Sequence, residues 1–175
     1  MNFYIHCVKS YPILTAILQF VVLGTLGEYI SKWVVAKKIT APFTIIETLW
    51  KMVEWAILAV FIKYAFVGYQ GFIDSLIAHE YLPTIKGVYR SFSLSVAMNL
   101  QFGFLLVIFH RILDNLFKKE KNWKNIDKGL FSLIWFWIPA HTITFSLPKL
   151  YQIGLAALWS VALGFILGLF NNRKP

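Results

Sequence analysis

The sequence predicts an all-α fold: a polytopic transmembrane helical bundle of four to five spans, with a long, partly amphipathic second helix. Three observations predict it. Of the 175 residues, 58% come from the apolar set Ala, Val, Ile, Leu, Met, Phe, Trp, Tyr and Cys, and only 14% are charged, where soluble domains carry about 25%. Mean hydropathy is +0.64, and a soluble domain of this size has too little interior to hide that much apolar surface. The apolar residues also fall into runs long enough to cross a hydrocarbon core of about 30 Å, punctuated by Lys, Arg and Pro. A disulfide-stapled fold is excluded, because Cys7 is the single cysteine.

The first span is expected at about residues 12–35, opening on Pro12, which suits a first helical turn. MNFYIHCVKSYP, before it, lacks the charged start and small-residue cleavage site of a signal peptide. A second helix follows from Thr44 to about His79, too long for one crossing, with its membrane part at 52–78. Its opening, TIIETLWKMVEW, sets Glu47, Lys51 and Glu54 on one face, and Lys63, Gln70 and Asp74 share the opposite face further on. The third span is expected at 91–117, followed by the charged segment KKEKNWKNIDK. The fourth, 129–147, contains Pro139 and closes at Pro148, and the fifth is 150–170. All 175 residues read as one integral-membrane domain.

The net charge of +9 reads as membrane topology and not as a nucleic-acid footprint, because the basic residues cluster between apolar runs. With five spans, one side holds Lys37, Lys38, Lys118, Lys119, Lys121, Lys124, Lys128, Arg173 and Lys174, and the other holds Lys9, Lys86, Arg90 and Lys149. That bias places the C-terminus on the cytoplasmic or matrix side.

Ionisable and polar residues at membrane depth are expensive and mark candidate sites. In the first span, Gly24, Glu28 and Ser31 share a face, with Gly27 on its flank. In the third, Ser95, Asn99, Gly103, His110 and Asp114 lie within about 60° of one line if the helix turns 100° per residue. Such a stripe either lines a wet path or glues helices together. Arg111 is placed to pair with Asp114. In the fourth span, His141 and Thr144 share a face with Trp137, beside the helix break at Pro139. No metal-ligand spacing such as HExxH, phosphate-cradling loop or nucleophile elbow occurs, so neither metal, cofactor nor enzymatic activity is expected.

Several strings resemble, in order, the Mpv-seventeen / 22-kDa peroxisomal membrane protein family. GTLGEYISKWV is similar to the family's first-helix pattern, YQGFIDSL to the end of its second helix, and MNLQ to its third. WFWIPAHTITFSLPKLYQ and LWSVALG are similar to its C-terminal third. The sequence departs from the family pattern at Glu28, Lys32 and Gln152. The resemblance implies a small integral protein; some members of the family are similar to weakly selective, gated pores for small metabolites, and others are linked to nucleotide or metabolite homeostasis. A bacterial chain would sit in the inner (cytoplasmic) membrane, a eukaryotic one in the mitochondrial inner or peroxisomal membrane.

The expected function is a small-solute channel or transporter, its route lined by Ser95, Asn99, His110, Asp114, His141 and Thr144. Glu28 and Asp74 would lie near the mouths, and Lys63 would neutralise one of these carboxylates. The alternative is a non-conducting scaffold or accessory subunit in which the same residues fix helix packing. The expected partners are the lipid bilayer, small solutes, and a second copy or another membrane protein, with no nucleic acid.

Overall fold

The computed structural model describes residues 2–172, so the expected contributions of Arg173 and Lys174 lie outside the described residues. Every regular element among them is helical: α1 (Asn2–Ser10), α2 (Pro12–Ala36), α3 (Ile45–Ala78), α4 (Gly87–Met98), α5 (Phe104–Lys118), α6 (Ile126–Ser132), α7 (Ile138–Ser146) and α8 (Lys149–Asn172). Two wide π turns, π1 (Asn99–Gly103) and π2 (Leu133–Trp137), join α4 to α5 and α6 to α7. Three stretches are long and apolar enough to cross a membrane: Pro12–Ala36, Gly87–Lys118 and Lys149–Phe170. They coincide with the first, third and fifth expected spans.

The chain divides into two compact units, one formed by Phe61–Gln152 and the other by the residues on either side. Helix α3 gives its first part, up to Val60, to the flanking unit. In that unit α1 packs on α2, and Pro12 occupies the first turn of α2. Helices α2 and α8 approach closely because both are glycine at the crossing. A Cβ on Gly27 would come within 2.6 Å of the Ser160 carbonyl oxygen, and one on Gly164 would strike the Gly27 carbonyl. Small residues allow this backbone contact where apolar burial alone would not draw helices together. Helix α3 opens on a reciprocal cap. The Thr44 amide donates to Glu47 Oε2 (2.7 Å), and the Glu47 amide donates to Thr44 Oγ1 (3.2 Å). Glu47 therefore serves the helix end, while Lys51 and Glu54 point into protein.

In the Phe61–Gln152 unit, α4 packs along α7, and π1 packs on π2. Leu94, Met98, Leu133, Phe136, Ala140 and Phe145 are buried there. The π2 turn has a covalent cause in Pro139, which lacks the amide proton needed to close an α turn and crowds the carbonyl of Trp135, four residues back. Leu147 is extended (ψ 160) before Pro148, which ends α7 and lets α8 begin afresh.

Candidate functional site

Two buried polar centres stand out, one in each unit. In the flanking unit the centre is charged. Lys51 Nζ lies 2.8 Å from Glu28 Oε2 and 3.2 Å from Glu54 Oε2. The second oxygen of each carboxylate accepts an indole N–H: Trp55 Nε1 donates to Glu28 Oε1 (2.9 Å) and Trp50 Nε1 to Glu54 Oε1 (2.6 Å). The ammonium also sits 5.8 Å from the centroid of the Phe43 ring. Glu54 is 0% exposed and Lys51 4%. Charge-assisted bonds to both oxygens offset the cost of taking a carboxylate out of water. Gly24, one turn before Glu28, makes the arrangement possible, since a Cβ there would collide with the Trp55 indole. Gly24 thus admits the Trp55 ring, while Gly27 admits the backbone of α8.

The second centre is neutral. Asn99 Nδ2 donates to the Ser95 carbonyl (2.8 Å) and lies 3.2 Å from Ser95 Oγ, while Asn99 Oδ1 lies 3.2 Å from His141 Nδ1. Ser95 Oγ donates to the Ile138 carbonyl (2.7 Å), which also accepts from Thr142 Oγ1 (2.7 Å). Thr144 Oγ1 donates to the Ala140 carbonyl (2.9 Å). Ser95, Asn99, His141 and Thr144 are all buried. The imidazole of His141 is boxed by Trp137 (4.9 Å between centroids), Phe66 (5.5 Å) and Phe145 (6.1 Å). Gly103 lets the two π turns meet, for a Cβ there would fall 2.9 Å from Leu133 Cδ2. A π turn commonly marks a functional position, because the extra residue re-aims side chains and loosens the backbone ladder.

The structure thus brings four of the expected route residues into one unit's interior and changes the setting of others. A straight α-helix would keep His110 and Asp114 in line with Ser95 and Asn99. The π1 turn inserts a residue between them, rotating the later pair by about 100° from that line. Arg111, expected to pair with Asp114, donates Nη2 to the Lys124 carbonyl (3.2 Å). Lys63 neutralises neither candidate carboxylate: Glu28 pairs with Lys51, and Asp74 Oδ1 pairs with Arg90 Nη2 at 2.6 Å. The Asp74–Arg90 pair is largely exposed, with Asp74's side chain at 61%.

Lys51, Glu54 and the two tryptophans were readable as WKMVEW, a charge pair at i, i+3 bracketed by indoles. What the string does not contain is Glu28, whose place beside them depends on tertiary packing. Gln152 is another residue with an unforeseen role. It donates to the Leu147 carbonyl (2.9 Å) across the break between α7 and α8, and accepts from Gln70 Nε2 (3.2 Å).

Comparisons of the chain with profiles of known families, with curated proteins and with solved structures find no match.

Proposed function

We propose that the chain is an integral membrane protein that passes small solutes, with Ser95, Asn99, His141 and Thr144 at the heart of the route. In this reading all five expected apolar stretches cross the bilayer and the C-terminus lies on the positive side. The observation that carries it is the Ser95–Asn99–His141 thread, a line of neutral polar groups inside a unit otherwise packed with Leu, Met and Phe. Neutral donors and acceptors suit a permeation path, since they exchange protein partners for solute or water without stranding a charge. The two π turns beside the thread supply backbone that rearranges more cheaply than an unbroken α ladder. The ordered resemblance to a family in which some members are similar to small-metabolite pores points the same way.

The second reading, a non-conducting scaffold, draws on a specific feature of the same thread. Its bonds close on themselves, Asn99 serving Ser95 and His141 at once, as a packing device would. Reconstitution in liposomes separates the two. A channel or transporter admits small neutral solutes, read as osmotic swelling, and Asn99→Leu changes that rate by about tenfold or more without unfolding the protein. Vesicles that swell no faster than protein-free ones identify the scaffold.

A further inference from the structure

The flanking unit carries a surface groove that neither polar centre uses. It lies where α2 ends, with an apolar wall of Ile30, Trp33, Val34, Ile39 and Phe165, two ammonium groups at Lys37 and Lys38, and a volume of about 340 Å³. Its two helices, α2 and α8, are both long and apolar enough to cross a membrane. The groove is held in shape by local bonds. Lys37 adopts a left-handed conformation (φ 52) that caps α2, with the Lys37 and Lys38 amides returning to the Val34 and Trp33 carbonyls. Trp33 Nε1 donates to the Thr40 carbonyl at 2.6 Å, pinning the turn that bears both lysines.

We infer that this groove binds one anionic phospholipid, its phosphate against Lys37 and Lys38 and an acyl chain along Ile30, Val34 and Phe165. The chemistry excludes simpler occupants. A soluble anion would meet the lysines and make no use of the adjoining apolar wall, where Ile39 is 81% and Phe165 48% exposed on the protein's surface. A zwitterionic lipid would cover the wall and carry its own cation up against two ammonium groups. Among the described residues, the lining holds no carboxylate to compete for the lysines. Lysine stems cover apolar surface while their heads reach the phosphate level, so the order of wall and charge follows the depth order of a lipid.

The inference rests on membrane integration alone and not on solute passage, so a chain that conducts nothing leaves it standing. Native mass spectrometry of the detergent-solubilised chain tests it, with phosphatidylglycerol or phosphatidylcholine added. The protein is expected to retain a single phosphatidylglycerol about tenfold more tightly than phosphatidylcholine. Lys37→Gln with Lys38→Gln removes that preference, whereas Lys37→Arg with Lys38→Arg keeps it, which separates charge loss from misfolding. Ile30→Trp, which fills the groove and leaves the charges alone, also removes it, and glycerol phosphate does not compete. Lys121→Gln with Lys124→Gln, in the other basic segment, leaves retention unchanged. The inference is overturned if the Lys37/Lys38 glutamine variant still prefers phosphatidylglycerol, or if the Lys121/Lys124 variant loses the preference equally. Competition by glycerol phosphate would overturn it too, by showing a plain anion site.

Discussion

Both units bury polar side chains, and they do so by opposite means. The centre at Glu28, Lys51 and Glu54 is built from full charges, each carboxylate oxygen held by an ammonium or an indole N–H. The centre at Ser95, Asn99 and His141 is built from neutral donors and acceptors. Full charges in a low-dielectric interior hold one another tightly, and the arrangement tolerates little change. Neutral groups hold one another loosely and can exchange partners at small cost. The charged centre therefore reads as a fastening of α2 to α3, and under the proposed function the neutral one is the part that rearranges.

The largest expected effect lies in the charged centre. Lys51→Met leaves Glu28 and Glu54 without their shared cation, and should destabilise the fold by about 3–5 kcal/mol. Thermal unfolding in detergent checks this, and a matching loss in Asn99→Ala would erase the contrast between the centres. Removing the whole centre, by Glu28→Gln, Lys51→Met and Glu54→Gln together, should cost less than Lys51→Met alone, since no lone charge remains. Next comes Asn99→Ala itself, which removes the partner of His141 Nδ1 and the amide donor to Ser95, and should cost about 1–3 kcal/mol in the same assay. The smallest effect belongs to Arg90→Gln. Its pair with Asp74 is exposed and should contribute no more than about 1 kcal/mol, vanishing as salt is raised. A larger, salt-insensitive loss would mean the pair does more than decorate the surface.

The contrast explains what could be read from the chain beforehand. The three stretches long and apolar enough to cross a membrane were legible because their runs are long and punctuated, and Pro12, Pro139 and Pro148 marked boundaries that the backbone respects, whereas α1 carries no such run and was not expected. The polar positions were legible as well, since a Glu or His inside an apolar run is conspicuous. Their partners were not. A helical wheel relates residues on one helix, so it linked Lys51 to Glu54 but had no means of adding Glu28 from another helix. The same wheel assumed 100° per residue through Asn99–Gly103, where the chain carries no proline to announce a π turn, and so it kept His110 and Asp114 in line with Asn99. Thr44 and Glu47 show the converse case. T-x-x-E is a capping signature, yet Glu47's spacing from Lys51 and Glu54 made it look like part of a charged face.

Under the proposed function the neutral centre opens to solute while the charged centre only holds the fold. Thiol accessibility tests it most directly. In a Cys7→Ser background, Asn99→Cys and, separately, Leu58→Cys are reconstituted in liposomes and treated with a charged, membrane-impermeant thiol reagent during solute flux. Both positions are about 1% exposed in the structure, so static burial does not distinguish them. The account predicts that flux through Asn99→Cys falls steeply on treatment, while flux through Leu58→Cys is unchanged. Flux through Asn99→Cys that is indifferent to the reagent, or equal loss in both variants, would contradict it.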